Sequence, residues 1–139
     1  MPWWAFAVAS ATAAAATAIL AKIGVERVPS NLATAVRTAV VLVFAWGIVF
    51  ARGEHRALPE LRGRPLLFLA LSGIATGLSW LSYFRALQLA PASRVAPIDK
   101  ISLALTIGLA ALVLGEPMSW RLALGASLIV IGALLTLTG

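Results

Sequence analysis

The chain has 139 residues, of which 61% are hydrophobic and 12% are charged, and its mean hydropathy is +0.98. A soluble domain has roughly 45–50% apolar and about 25% charged residues. The composition therefore excludes a soluble globule, a disordered chain and a coiled coil, and it predicts an integral membrane protein. The sequence contains no cysteine, which excludes disulfides, thiolate metal sites and a cysteine nucleophile. The net charge of +6 comes from basic residues between apolar blocks, which favours membrane flanks over nucleic-acid binding.

Five apolar blocks follow one another along the chain, and each is long enough to cross a hydrocarbon core of about 30 Å as a helix. They predict transmembrane helices over residues 3–23, 31–51, 65–90, 95–114 and 119–138. Residues 3 and 4 are tryptophans with no basic residue before them, which favours an interfacial anchor over a cleaved signal peptide. We therefore expect an all-α integral membrane protein with a single transmembrane domain over residues 1–139.

Helix-breaking residues fall where the blocks end. Pro29 precedes the second block, where Ser30 or Asn31 is expected to cap the helix. Residues 115–117, Gly-Glu-Pro, separate the fourth block from the fifth. Pro97 lies at or just inside the start of the fourth helix, so we expect a kink or a late helix start there.

The basic residues distribute almost evenly over the two sides of a five-helix topology. One side holds five: Arg52, Arg56, Arg62, Arg64 and Arg121. The other side holds six: Lys22, Arg27, Arg37, Arg85, Arg94 and Lys100. The long loop over residues 52–64 favours a cytoplasmic N-terminus, while the near-balance also permits insertion in both orientations.

Several runs carry a resemblance to a known family. Residues 83–87 (YFRAL) and 90–97 (APASRVAP), followed by residues 114–117 (LGEP) and 125–132 (GASLIVIG), resemble the end of an EamA domain. Residues 18–24, 30–38 and 97–102 look like the single-domain bacterial members of that family. On these residues, nearly the whole chain resembles the EamA family of the drug/metabolite transporter superfamily.

The resemblance implies a fold of two five-helix repeats in inverted orientation around a central pathway, on the bacterial inner membrane. This chain contains one repeat, which is one half of that fold. Inverted-repeat carriers place the substrate between their halves. The resemblance therefore implies pairing with a second copy or with a related small protein, and the balanced charges suit an antiparallel homodimer as well as other arrangements.

Basic and aromatic residues inside the blocks are the first candidates for a pathway. An ionisable residue at mid-helix in a membrane costs at least about 2.5–3.5 kcal/mol, so it usually has a function. Arg37 lies six residues into the second block, roughly 9 Å deep by the helical rise, and an arginine side chain can snorkel most of that distance. Lys22 lies near the end of the first block, where snorkelling and an ion pair with Glu26 favour a structural role. Trp80 and Tyr83 are candidates for the aromatic wall of a cavity, with ordinary helix packing as the alternative.

The single aspartate of the sequence, Asp99, lies inside the fourth block next to Lys100. Neighbouring residues of a regular helix point about 100° apart, so we do not expect these two to pair neatly. Asp99 instead shares a predicted helix face with Ser102 and Thr106. This face predicts either a polar pathway or a helix contact in which Arg37 or a neighbouring subunit's lysine pairs with the carboxylate.

Two glycine pairs permit close approach of helices. Gly73 and Gly77 are four residues apart in the third block, where ordinary packing is the favoured interpretation. Gly125 and Gly132 are seven apart in the fifth block, and their spacing resembles the dimer-forming last helix of small drug/metabolite carriers. Intramolecular packing explains the second pair equally well.

No catalytic pattern is present. An intramembrane aspartyl protease needs two aspartates, and the sequence has one. The sequence also lacks a His-Glu-x-x-His motif and a phosphate-cradling loop. We expect no enzymatic activity, cofactor, metal or nucleic-acid partner, and contacts only with lipid, a small-molecule substrate and a partner subunit. The leading hypothesis is a subunit of a dimeric secondary transporter for a small metabolite or drug-like molecule, with amino acids and organic anions ahead of bare cations. The alternative is a non-transporting membrane subunit that stabilises a partner protein.

Overall fold

The computed structural model describes residues 2–138. Over that range the regular structure is helical, with no strand, which confirms the all-α prediction. The α-helices are α1 (Trp3–Val25), α2 (Ser30–Ala51), α3 (Arg64–Leu89), α4 (Ala92–Asp99), α5 (Ile101–Leu109) and α6 (Trp120–Leu135). A 3₁₀ helix spans Glu54–Glu60, and a π-helical segment spans Ala110–Leu114.

Within residues 2–138, four segments are long and apolar enough to cross a membrane: Trp3–Val25, Ser30–Ala51, Arg64–Leu89 and Ala92–Leu114. The last apolar helix, α6, has 16 residues, which is about 24 Å at the helical rise and shorter than a hydrocarbon core of about 30 Å. It begins at Trp120, one residue after the predicted start, because residues 115–119 are not helical: Gly115 has φ 69°, and Pro117 disfavours helical backbone in the residue before it. It ends at Leu135, three residues before the predicted end at 138. The fifth predicted span is thus a shorter apolar helix.

The fourth predicted helix is divided into three parts. α4 begins at Ala92, before the predicted start at residue 95, and it contains Pro97. Proline has no amide hydrogen and interrupts the helical ladder. The helix breaks at Lys100, whose amide donates to the carbonyl oxygens of Ala96 (3.3 Å) and Pro97 (3.0 Å). The late start is wrong, because α4 begins at Ala92, and the kink near Pro97 stays a prediction.

The two well-defined helix starts in this chain use different residues. Pro29, with φ −52° and ψ 132°, occupies the N-cap position of α2, and no side chain caps that helix. The predicted cap at Ser30 or Asn31 is therefore wrong, because Pro29 already sets the non-helical entry and α2 begins at Ser30. At α6 the Ser119 hydroxyl accepts a hydrogen bond from the Leu122 amide at 3.2 Å, a standard N-cap.

The described residues form two compact units. The first comprises the chain up to Lys22 and from Leu89 onward, and in it α6 packs against α4 and α5. The second comprises Ile23–Gln88, and in it the 3₁₀ helix packs against α2. The single domain over residues 1–139 stays a prediction, and residues 1 and 139 lie outside the described part.

Few side chains are buried in either unit. The first unit buries small residues, namely Ala18, Ala21 and Ala133, and the second buries Val25, Ser30, Thr34, Phe84 and Leu87. Most large apolar side chains on the helices are exposed. This pattern is expected of a chain whose solvent is lipid, because acyl chains are as apolar as leucine and do not drive apolar side chains inward.

Candidate functional site

An arginine stacked on aromatic rings is the most distinctive arrangement in the second unit. The guanidinium carbon of Arg37, on α2, lies 3.6 Å from the ring centroid of Trp80 and 5.6 Å from that of Phe84. Trp80 and Phe84 are four residues apart on α3, so they share one face of that helix. The sequence prediction named Arg37, Trp80 and Tyr83. It missed Phe84 as a site residue, although the spacing of four from Trp80 is a signal that could have found it.

The aromatic contact offsets part of the cost of burying the Arg37 charge. Within residues 2–138, neither a carboxylate within ion-pair distance nor a hydrogen-bond acceptor contacts the Arg37 guanidinium. Cation–π contacts contribute about 0.5–1 kcal/mol at exposed sites and about 2 kcal/mol when desolvated. Against a cost of at least about 2.5–3.5 kcal/mol at mid-helix, the rings compensate the charge incompletely. The in-plane N–H donors remain available to a ligand.

A polar network in the second unit links the end of α3 to the end of α1 and the turn that follows it. The Gln88 side-chain amide donates to the carbonyl oxygens of Val25 at 3.2 Å and Val28 at 2.7 Å, and Arg85 donates to the Gln88 amide oxygen at 3.0 Å. Val25 ends α1, so its carbonyl lacks an intrahelical partner. These bonds hold the last turn of α3 beside the turn that precedes α2. The sequence prediction did not include Gln88 or Arg85 in the site.

The two rings that Arg37 contacts lie at different distances from the end of α3. Arg37 lies seven residues after Ser30, or about 10.5 Å along the helix. The Gln88 network places the end of α3 at the beginning of α2, and Trp80 lies one turn farther from that end than Phe84. The guanidinium is closer to Trp80, the ring farther from that helix end.

The other cation candidates lie in the first unit and have polar partners. The Lys22 ammonium donates to the carbonyl oxygen of Ala90 at 3.2 Å, and its predicted pairing with Glu26 stays a prediction. The Lys100 ammonium lies 3.1 Å from a carboxylate oxygen of Asp99. The structure thus gives each of these two lysines a protein acceptor, in contrast to Arg37.

The contact between Asp99 and Lys100 corrects the expectation that they would not pair. That expectation assumed a continuous helix, whereas α4 ends at Asp99 and Lys100 occupies the break before α5. The side chains are 33% and 50% exposed, so this is a partly exposed ion pair. Ser102 and Thr106 lie on α5, where the Thr106 hydroxyl donates to the Ser102 carbonyl at 2.8 Å. The break interrupts the continuous polar face predicted from Asp99 to Thr106.

A groove of about 300 Å³ runs along α5, the π-helical segment and the start of α6 in the first unit. Its lining is mainly apolar and includes Thr106, Glu116 and Leu122. Within the described residues Glu116 forms no ion pair. The sequence prediction named Thr106 but not Glu116, whose position in a turn gave no signal that it lines a groove.

The four glycines named from the sequence do not support close packing within the chain. A Cβ atom added at Gly73, Gly77, Gly125 or Gly132 would meet no heavy atom of the described structure within 4 Å, apart from those of its own helix backbone and neighbours. Lipid or a second chain is therefore what remains to contact these positions. Their role as a dimer interface stays a prediction.

Comparison with known proteins places these features in a family. The chain matches the EamA-like transporter family over residues 1–138. It is 48% identical over 133 residues to a Sinorhizobium sp. protein described as an "uncharacterized transporter in cobO 3'region", and the alignment covers 96% of this chain and 94% of the relative. No solved structure matches. The family match spans nearly the whole chain, and the structure contains long apolar helices. The protein therefore belongs to the EamA-like transporter family and is a membrane transporter, not an enzyme.

Proposed function

We propose that the protein is one subunit of a dimeric secondary transporter that moves a small metabolite or drug-like molecule across the bacterial inner membrane. The observation that carries this proposal is the near-equal coverage of this chain and its relative, 96% and 94%. A protein of almost the same length as this chain is therefore described as a transporter. Without a phosphate-cradling loop in the sequence, a gradient is the expected energy source.

A dimer supplies the half of the carrier that one repeat lacks. Inverted-repeat carriers bind substrate between their halves. Two features support pairing: the open positions of Gly125 and Gly132 on α6, and the exposed apolar side chains of that helix. The partner is a second copy of this chain or a related small protein.

Eight residues named from the sequence are proposed as pathway residues. They are Lys22, Arg37, Trp80, Tyr83, Asp99, Lys100, Ser102 and Thr106. Asp99, the single aspartate of the sequence, is the carboxylate that would couple transport to a proton or ion gradient, and its ion pair with Lys100 is partly exposed. Phe84 is added to this set by its contact with Arg37.

Flux through purified protein in liposomes tests the transport proposal. A panel of metabolites is first screened for compounds that raise the thermal stability of the detergent-solubilised protein, because a ligand of the folded state stabilises it. Each hit is then offered as radiolabelled substrate to proteoliposomes and to protein-free liposomes, with and without a proton gradient. Gradient-dependent uptake is expected. A folded protein that carries none of its stabilising ligands would instead favour a non-transporting subunit.

Paired substitutions test the dimer and locate its interface. Leucine at both Gly125 and Gly132 should block close approach of α6 and convert the dimer to a monomer in mild detergent, measured by light scattering. Leucine at both Gly73 and Gly77 on α3 is the matched variant and should leave the mass unchanged. The opposite result would move the interface to α3, and an unchanged mass in both variants would exclude both stripes.

Cysteine labelling tests dual orientation. Because the sequence has no cysteine, Thr138→Cys gives a single reporter near the C-terminus, and Arg62→Cys gives one in the loop before α3. Five against six basic residues on the two sides predict that each reporter is labelled in part from either side of intact cells. Labelling of each reporter from one side alone, and from opposite sides for the two, would show a fixed orientation.

A further inference from the structure

We infer that Arg37, with Trp80 and Phe84, forms the binding site for an oxyanion group of the substrate, a carboxylate or a phosphate. This inference rests on the proposed transport function and adds the chemical class of the substrate. It also identifies the part of the chain that recognises that group. Its evidence is the geometry of the second unit, where all three residues lie.

The stacking of the guanidinium leaves its binding edge free. At 3.6 Å from the Trp80 centroid, the cation lies over the indole face, while its N–H donors point outward in its own plane. A planar fork of this kind binds a carboxylate or phosphate through two parallel hydrogen bonds. The rings hold the guanidinium without using any of those donors, so the site is pre-organised for an anion.

The Arg37 donors are both unused and accessible. No acceptor in residues 2–138 takes a hydrogen bond from them. Among the described side chains that are not exposed, Nδ1 of His55 is the one nitrogen or oxygen atom that is both buried and without a hydrogen-bond partner. The Arg37 nitrogens have no such partner and are therefore not buried. A ligand can therefore reach the Arg37 nitrogens.

Other basic residues of the long helices lack this combination. Lys22 donates to a backbone carbonyl, Arg85 to the Gln88 amide oxygen, and Lys100 to the Asp99 carboxylate. Each has an acceptor supplied by the chain. Arg37 instead combines a deep position on α2 with rings that stabilise the cation and with an open edge. A positively charged substrate group would be repelled at this site, which excludes bare cations from it.

An oxyanion near Arg37 has two sources, a soluble substrate or the phosphate of a lipid headgroup. The position about 10.5 Å from the start of α2 lies within reach of a headgroup at a locally thinned bilayer. The closer contact of the guanidinium with Trp80, the ring farther from the end of α3, favours a soluble molecule that enters a pathway. The experiment separates these sources with a phosphate-free detergent and with anionic vesicles.

The fluorescence of Trp80 reports binding at the site directly. Tryptophans 3, 4, 46 and 120 are replaced by phenylalanine, which leaves Trp80 as the emitter. The protein in dodecyl maltoside is titrated with sodium benzoate and with sodium phosphate, at ionic strength held constant with sodium chloride. Benzyl alcohol is the neutral counterpart of benzoate. Arg37→Gln removes the charge, Arg37→Lys keeps the charge but removes the fork, and Arg27→Gln is the control in the α1–α2 turn.

We expect a saturable change in Trp80 emission with at least one of the two anions and none with benzyl alcohol. Arg37→Gln should weaken that binding roughly 10- to 100-fold, which corresponds to the loss of charge-assisted hydrogen bonds. The anion affinity of Arg37→Lys should lie between those of the parent protein and Arg37→Gln, and the affinity of Arg27→Gln should match that of the parent protein. Equal binding by parent and Arg37→Gln, no binding of either anion by the folded parent, or an equal response to benzyl alcohol would overturn the inference.

A second arm uses phosphatidylglycerol vesicles in place of detergent. Persistence of the anion response in these vesicles supports a substrate site. Loss of the response, together with a vesicle-induced shift of Trp80 emission that Arg37→Gln abolishes, would assign the site to lipid phosphate and overturn the substrate class. Helicity and elution volume of each variant show that it is folded, and Arg37→Lys keeps the test valid if Arg37→Gln does not fold.

The transport proposal can fail separately from this inference. Binding of an anion at Trp80 without flux in proteoliposomes would preserve the oxyanion site and reject transport. Flux of a substrate that Arg37→Gln carries as well as the parent does would preserve transport and reject the site. The two readouts come from different preparations of the same protein and do not depend on one another.

Discussion

The Gln88 side chain offers the sharpest test of how the second unit is held together. Its amide donates to the carbonyls of Val25 and Val28, at 3.2 Å and 2.7 Å. These carbonyls follow the last turn of α1, where the helical ladder supplies no partner. We predict that Gln88→Ala destabilises the protein, because it removes both donors and leaves two acceptors to find water at the end of the bundle.

The magnitude follows from these two bonds. A typical intramolecular hydrogen bond contributes about 0.5–1.5 kcal/mol net, so the loss of two gives about 1–3 kcal/mol. The upper part of that range applies if Val25, which is fully buried, keeps its carbonyl dry after the substitution. Arg85 also loses its acceptor, but its side chain is exposed and can bind water instead.

The assay is the free energy of unfolding in mixed micelles of dodecyl maltoside and dodecyl sulfate, followed by far-ultraviolet circular dichroism. Ser82→Ala is the matched control, because the Ser82 hydroxyl is exposed and bonds only to the Leu78 carbonyl one turn earlier on α3. It should change stability by less than about 0.5 kcal/mol. If Gln88→Ala had as small an effect as Ser82→Ala, the Gln88 network would not hold the ends of these helices together.

Three further outcomes follow from burial, backbone conformation and exposure. Leu87→Ala, at a fully buried position, should cost about 2–5 kcal/mol in the same unfolding assay, whereas Leu89→Ala, 71% exposed, should cost little. Gly115→Ala should destabilise by about 1–2 kcal/mol because Gly115 has φ 69°, whereas Gly108→Ala, in a helix with open space around it, should stabilise by about 0.5–1 kcal/mol. Asp99→Asn should change stability by no more than about 1 kcal/mol, because its ion pair is partly exposed. Its flux in proteoliposomes should fall, and normal flux in the stable variant would remove Asp99 from the pathway.

The sequence predicted the elements of the fold because a membrane span needs little more than length and apolar character. The first three helices lie within about two residues of their predicted ends at 3–23, 31–51 and 65–90. The fourth and fifth depart further. The fourth is interrupted at Lys100, and the fifth ends at Leu135, three residues before its predicted end. Apolar content alone indicates neither position.

The candidate site was predictable in its residue types and not in its contacts. Charge inside an apolar block identified Arg37, and aromatic character identified Trp80. Their stacking depends on how α2 and α3 face each other. No local pattern in a single sequence indicates that orientation. The Asp99–Lys100 pair was missed for a local reason, because the argument from a regular helix fails where the helix is broken.

The Asp99–Lys100 pair and Arg37 are compensated in different ways, and this difference bears on function. Asp99 and Lys100 neutralise each other as sequence neighbours, so their pair needs no other part of the protein. Aromatic rings stabilise the Arg37 cation, but they are uncharged, so a cation–π contact leaves its net charge in place. An uncompensated charge in a membrane span is unstable unless an anion completes it. A transporter gains from that arrangement, because the substrate itself supplies the missing charge and the occupied state becomes the more stable one.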